Sequence, residues 1–217
     1  MNVLELFSGT HSIGKVCEKL GWNAISVDLE LSATHQCDIM DFDYKQYPKN
    51  YFSIVWASPP CTEYSNLKNC WIGRKNNRTG ETLTHELLEQ KRKEADKLVA
   101  KSLEIIDYFD CDVWFMENPA TGQLRNREVV KGLPYYDVSY CMYSDWGYEK
   151  KTRIWTNKKD WNNLLCDRSG SCGNMIDTNK HKLNLAKDVH TIGERKGKHK
   201  KDVSVDFGSG TNRLDRY

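Results

Sequence analysis

The opening of the chain constrains its fold more than any other stretch. Val3-Leu4-Glu5-Leu6-Phe7 is a short apolar run. Ser8-Gly9-Thr10-His11-Ser12 follows at once, and then Ile13, Val16, Cys17 and Leu20 recur at helical spacing with Gly21 as a stop. This is a strand, a glycine-bearing turn and a helix, the unit from which α/β sheets are built. Such a turn brings backbone N–H groups and a helix N-terminus close to a ligand, which suits a nucleotide or the carboxylate of a cofactor.

The same grammar repeats downstream. Asn23-Ala24-Ile25-Ser26-Val27-Asp28 reads as a second strand ending in a carboxylate, roughly 20 residues after the first turn, where βαβ cofactor folds place the acid that holds ribose hydroxyls. Asp38 opens Asp38-Ile39-Met40-Asp41 after a polar stretch. Tyr51 to Ala57 reads as a buried strand delivering the chain to Pro59-Pro60-Cys61, where two prolines fix φ and stiffen the presentation of one thiol. From Asn66 to Thr82 the composition turns to Asn, Lys, Arg and Gly, predicting a mobile loop whose Arg74, Lys75 and Arg78 can meet phosphates and close over a site. A long helix is predicted from about Thr84 to Phe109, with Leu87, Leu88, Leu98, Ser102, Ile105 and Ile106 toward the sheet and Lys91-Arg92-Lys93 on a solvated face. Asp112 to Met116 is a further strand ending in Glu117-Asn118-Pro119. Tyr136 to Tyr143 and Lys150 to Asn157 read as a strand pair across Asp145-Trp146-Gly147.

With 217 residues, 39% apolar and 29% charged, the chain can bury a sizeable core. No run approaches the roughly 18 apolar residues of a membrane span, and the N-terminus lacks the pattern of a secretion signal. The expectation is a cytosolic-type protein without a membrane partner, its eight cysteines mostly reduced. A net charge of +2 does not by itself demand a polyanionic partner. No metal is assigned: Cys166-x5-Cys172 with His181 and His190 are zinc-ligand types at irregular spacing. Residues 193–201 are densely basic, fitting a tail or a nucleic-acid contact. The last ten residues carry no helix or strand pattern, the ending expected of a trimmed chain.

Phe7-Ser8-Gly9, Asp28, Asp38, Pro60-Cys61, Glu117-Asn118 and the Lys151-Thr152-Arg153 region fall in the order and spacing of the cytosine-5 DNA methyltransferase family. The chain resembles that family, and most of all its short phage- and virus-type members, over roughly its first 157 residues. The resemblance implies a Rossmann-like class I S-adenosylmethionine-dependent methyltransferase fold. That fold is a seven-stranded, mostly parallel sheet with helices on both faces and an antiparallel strand near the edge. Residues 1–157 would be the catalytic domain and 158–217 a small C-terminal segment, a reduced target-recognition region. The cofactor would be S-adenosylmethionine, its methionine end lined by Phe7, Ser8, Gly9 and Thr10, its ribose held by Asp28 and its adenine met by Asp38 and Ile39, with Pro60 also in the cofactor site.

The resemblance also implies roles in chemistry. Cys61 would add as thiolate to carbon 6 of cytosine, making carbon 5 nucleophilic enough to take the methyl group. A free thiol with a pKa of about 8.5 is only a few per cent ionised at neutral pH, so it needs a cationic neighbour, for which Arg153 is the candidate. Glu117 would hydrogen-bond or protonate ring nitrogen 3, with Asn118 orienting the loop or the base. The partner would be duplex DNA with its cytosine flipped out, and Arg74, Lys75 and Arg78 would close on the extruded strand. The enzyme would act as a monomer in the cytoplasm, or in the nucleus of a eukaryotic host. An RNA (tRNA) cytosine methyltransferase and a catalytically degenerate DNA-binding module of the same fold are the alternatives. The chain departs from the family pattern at His11 and Ser12, where a second glycine is usual. Glu149-Lys150-Lys151-Thr152-Arg153 stands in place of Gln-x-Arg-x-Arg.

Overall fold

A computed structural model describes residues 1–183 apart from positions 31 and 78; Arg78, His190 and the basic stretch 193–201 lie outside the described residues. One sheet has the order β3-β2-β1-β4-β5-β7-β6. Its strands are β1 (Asn2–Leu6), β2 (Asn23–Asp28), β3 (His35–Gln36), β4 (Ile54–Ala57), β5 (Val113–Pro119), β6 (Tyr135–Ser139) and β7 (Lys151–Thr156). All run parallel except β7, which is antiparallel to both β5 and β6. The expected seven-stranded, mostly parallel sheet is therefore present. None of the described helices is long and apolar enough to cross a membrane.

Alternation along β1 explains why the two helices cover opposite faces. Leu4 and Leu6 join a core with Val99, Ile105, Ile106 and Phe109 of α2 (His85–Phe109). Glu5 points the other way and accepts the backbone N–H groups of Ile13 and Gly14 at 3.0 and 2.9 Å, capping α1 (Ser12–Lys19). Thr84 caps α2 through Leu87 N–H, and Asp110 ends it in the left-handed conformation. The Phe52 and Phe109 rings meet edge to face at 4.8 Å beneath the sheet.

Four expectations need correction. On α1 only Cys17 is buried, whereas Val16 and Leu20 are 47% and 54% exposed. The link from β2 to β3 spans only residues 29–34, so no helix stands beside α1 there. The segment 66–83 is not a featureless loop. Residues Asn66–Trp71 form a 3-10 turn capped by Ser65, and a ladder pairs Gly73 N–H with Leu83 O, Leu83 N–H with Arg74 O and Asn76 N–H with Glu81 O. Arg92 is not on a free solvated face, since it donates to the Glu63 carbonyl at 3.1 Å and to the Asn69 amide oxygen at 3.2 Å. Finally, β6 stops at Ser139 and turns through Tyr140–Met142. Asn174 takes the Cys141 and Ser144 carbonyls at 2.8 and 2.7 Å, which removes acceptors that a continuing ladder would need. A separate hairpin, β8 (Met175–Asp177) with β9 (Lys180–His181), lies in the C-terminal segment.

Candidate active site

β4 and β5 are parallel neighbours, in register from Ile54 opposite Val113 to Ala57 opposite Met116, so the residues that follow each strand leave the sheet side by side. Pro59-Pro60-Cys61 follows β4, and Glu117-Asn118-Pro119 ends β5. The Asn118 side chain, 1% exposed, donates to the Pro59 carbonyl at 2.9 Å and joins the two motifs across 59 residues of sequence. Two more struts follow, Gln123 N–H to Tyr64 O at 2.7 Å and the Asn66 amide to Thr121 O at 2.6 Å. Gly122 permits this approach, because a Cβ there would stand 3.2 Å from the Pro119 carbonyl oxygen and 3.5 Å from that of Tyr64.

Tyr64, three residues beyond Cys61, is completely buried and donates its hydroxyl to Asp96 of α2 at 2.9 Å. Burial, and then the Asp96 charge, push its phenol far up, so it remains a donor. Arg127 holds Asp96 and also Glu89 of the same helix, with contacts between 2.6 and 3.2 Å. The half-buried Cys61 thus sits on a turn fixed to β5 on one side and to α2 on the other.

Glu117 has two close neighbours that the sequence reading did not nominate. Tyr140 donates to its Oε2 at 3.3 Å, and Lys150 Nζ lies 3.9 Å from the same oxygen. Burial first, and then the Glu117 carboxylate, hold the Tyr140 phenol well above its usual range. Lys150 could have been found as the cation within the segment that departs from Gln-x-Arg-x-Arg. Tyr140 carried no sequence signal, being one aromatic in an alternating strand.

Arg153 lies elsewhere than beside Glu117. It is opposite Asn118 on β5 and Asp137 on β6, so it projects from the other face of the sheet from Glu117, which is opposite Ile154. There it makes a two-pronged pair with Asp137 at 2.8 and 3.0 Å and stacks on Tyr135 at 3.6 Å. Asp137 pushes the Arg153 pKa further up.

Along the carboxyl edge of β1 and β2 the other expected residues cluster. Phe7 takes φ 58°, a left-handed conformation uncommon for a non-glycine residue, and its ring packs into the core. Gly9 N–H donates to Asp28 at 2.8 Å, and the second oxygen of Asp28 accepts Glu30 N–H at 3.1 Å. Asp28 is therefore a brace of the turn before it is anything else. The Ser8 hydroxyl is buried and has no hydrogen-bond partner among the described residues. Asp38 accepts Met40 N–H at 2.8 Å in a local turn that buries Ile39. Thr10 and the half-buried Pro60 border the same edge, while Arg74 and Lys75 are exposed on the 73–83 ladder. Away from this edge, Cys166, Cys172 and His181 come together with Cys141, while His190 lies outside the described residues.

A parallel sheet with one antiparallel strand, a polar turn after β1 and acids after β2 and β3 define a class I S-adenosylmethionine-dependent methyltransferase. No protein-family model matches the sequence. The chain is 38% identical over 177 residues to the "Probable DNA (cytosine-5)-methyltransferase" of Frog virus 3 (isolate Goorha), covering 81% of this chain and 79% of that one. It belongs to the cytosine-5 DNA methyltransferase family. Solved structures similar to it include a prophage-encoded candidate DNA modification methyltransferase of E. coli (TM-score 0.46, 14% identity, 72% of this chain and 46% of that one). Another is the Dnmt2 methyltransferase of S. pombe (TM-score 0.44, 11% identity, 85% of this chain and 57% of that one). The chain spans about half the length of these two structures.

Proposed function

We propose that this protein methylates carbon 5 of cytosine in DNA, with Cys61 as nucleophile and Glu117 as the group that engages ring nitrogen 3. The observation that carries the reading is the hydrogen bond from Asn118 to the Pro59 carbonyl, which ties the thiol-bearing turn directly to the strand end that carries the carboxylate.

In the proposed sequence the Cys61 thiolate forms a bond to carbon 6, the ring electrons move toward nitrogen 3, and Glu117 supplies a proton or short hydrogen bond there. Carbon 5 then takes the methyl group, for which S-adenosylmethionine would be the donor, its sulfonium leaving as a neutral thioether. Loss of the carbon-5 proton to water restores the 5,6 double bond and expels Cys61 as thiolate, while nitrogen 3 returns any proton it took to Glu117. Tyr140 and Lys150 hold the Glu117 carboxylate in place. Lys150 puts a cation beside that carboxylate, whereas Arg153, the cation expected to favour the Cys61 thiolate, is engaged by Asp137.

The residues present fit S-adenosylmethionine. The unpartnered buried hydroxyl of Ser8 offers a polar contact at the turn. Asp28 would meet the ribose and Asp38 the adenine, each as a hydrogen-bond acceptor with up to two lone pairs on each oxygen. Phe7, Gly9, Thr10, Ile39 and Pro60 complete this edge. When bound, the cofactor supplies an electrophilic methyl group on a sulfonium. Arg74, Lys75 and Arg78 contact the phosphates of the flipped strand. Residues 1–157 form the catalytic domain of a monomer that works inside the cell.

The test is transfer of label from S-adenosylmethionine to duplex DNA, single-stranded DNA or tRNA by wild type and by Cys61→Ala. Transfer to DNA cytosine that vanishes in Cys61→Ala, with a covalent complex trapped on DNA carrying 5-fluorocytosine, is the expected result. Transfer that survives the substitution refutes the mechanism; transfer confined to tRNA refutes the substrate.

A further inference from the structure

The segment 158–183 lacks the usual means of holding itself together. Its hairpin has strands of three and two residues, and Ile176, in the middle of the first, is 58% exposed. A two-stranded hairpin of this size has too little apolar surface to be stable alone. Yet three side chains of this segment come together with one from the turn after β6.

Cys141 comes from the turn after β6, Cys166 and Cys172 from the loop after β7, and His181 from β9; their ligand atoms all lie within 4.8 Å of one another. His181 Nε2 is 3.6 Å from the sulfurs of both Cys166 and Cys172. A tetrahedral zinc site with Zn–S of about 2.3 Å and Zn–N of about 2.0–2.1 Å has N···S edges of about 3.6 Å. All three cysteines are free. A disulfide would draw one pair to about 2.05 Å and leave the third sulfur and the imidazole without a purpose.

The surroundings are those of a supported site. Asn174, 2% exposed, donates to the carbonyls of Cys141, Ser144 and Cys172 and accepts Gly147 N–H at 3.0 Å. One amide thereby fixes the backbones carrying two of the four ligands, the arrangement expected around a metal. Gly147 sits at φ 86° and its carbonyl accepts Leu183 N–H, closing the end of the hairpin onto the same turn.

We propose that Cys141, Cys166, Cys172 and His181 bind one structural zinc ion, a closed Cys3His site that fastens the C-terminal segment to the catalytic sheet. Borderline-soft zinc suits three thiolates and an imidazole, and four protein ligands leave no open position for chemistry. The site adjoins the reaction centre through sequence: Tyr140, which holds Glu117, is the residue before the ligand Cys141. Three of the ligand types were visible in the sequence. The fourth, Cys141, is 25 residues upstream of Cys166 and is recruited only because β6 ends early.

The experiment uses the full chain purified from zinc-supplemented cells under reducing conditions. Metal analysis is expected to find one zinc per chain. Exchange for cobalt is expected to give the intense visible bands of tetrahedral thiolate coordination. Cys172→Ser and His181→Ala should lose the metal, whereas His181→Cys, which keeps four ligands, and Cys70→Ser, at an exposed cysteine outside the cluster, should retain it. Asn174→Ala should weaken zinc binding about 10- to 100-fold in competition with a chelator. Because the cobalt spectrum is read on the unaltered ligand set, a variant that fails to fold does not decide the matter. A wild-type chain free of zinc and silent to cobalt, or one with a disulfide between two of Cys141, Cys166 and Cys172, overturns the proposal.

Discussion

Arg127→Met tests the idea that the Cys61 turn is held from behind by α2. Arg127 makes five close contacts, three to Asp96 and two to Glu89, and Asp96 in turn accepts the Tyr64 hydroxyl. Side-chain exposures are 17% for Arg127, 21% for Asp96 and 43% for Glu89. A fully exposed pair is worth about 0–1 kcal/mol, and breaking a fully buried one costs about 3–5 kcal/mol. At roughly a fifth exposed, the Asp96 half falls between, near 2 kcal/mol, and the Glu89 half, screened by solvent, adds about 0.5 kcal/mol at most. For a chain of this size that corresponds to a fall in Tm of about 5–10 °C. Urea unfolding of wild type and Arg127→Met measures it, with Lys131→Met as control, since the Lys131–Glu128 pair is 73% and 84% exposed and should cost under about 0.5 kcal/mol. A double-mutant cycle with Tyr64→Phe should give a coupling of about 0.5–3 kcal/mol. Alkylation of Cys61 should quicken in Arg127→Met as the turn loosens. If Arg127→Met costs no more than the Lys131 control and leaves the alkylation rate unchanged, the network is solvent decoration and the bracing argument fails.

Gly122→Ala puts a methyl 3.2 Å from one backbone carbonyl and 3.5 Å from another, so the Cys61 and Glu117 loops must part. A loss of about 1–3 kcal/mol and a drop in kcat of about 10- to 100-fold are expected from unfolding curves and initial rates. Lys150→Met should lower kcat about 10- to 100-fold while the KM for S-adenosylmethionine holds steady, because Lys150 meets Glu117 and not the β1 turn. Burial raises the Glu5 pKa above 4.5, against the lowering pull of the Ile13 and Gly14 N–H groups. The folded state thus binds a proton that the unfolded chain releases, and this group's stabilisation is full below 4.5 and lost as pH rises through the folded value. Glu5→Gln should flatten that part of the stability–pH profile; an unchanged slope would clear Glu5 of the role.

The order of elements and the Pro-Cys and Glu-Asn motifs were legible because each depends on local pattern. Apolar runs ending in Gly, Pro or an acid mark strand ends, and a thiol after two prolines can only be presented rigidly. What stayed hidden is what depends on register and on contacts across the sheet. That Arg153 faces away from Glu117 is set by the pairing of β7 between β5 and β6, which no single segment reveals. Glu5, one acid in an apolar strand, reads as a pattern fault until α1 is seen resting its N–H groups on it. Val16 and Leu20 satisfy helical periodicity yet stay about half exposed among the described residues, because the short β2–β3 link carries no helix to cover them.

The hydrogen bond between Asn118 and Pro59 has a consequence for how the protein comes into being. It spans 59 residues, and the companions from Asn66 to Thr121 and from Arg127 to Asp96 span 55 and 31. Contacts of such range form only after the loop between them has been closed at its entropic cost, and for the first two that loop contains all of α2. A nascent chain that has emerged only as far as α2 holds Cys61 on its turn but has no β5 to pair it with. On the proposed mechanism Cys61 therefore meets Glu117 only once β5 has paired with β4, a pairing that a chain halted at α2 lacks.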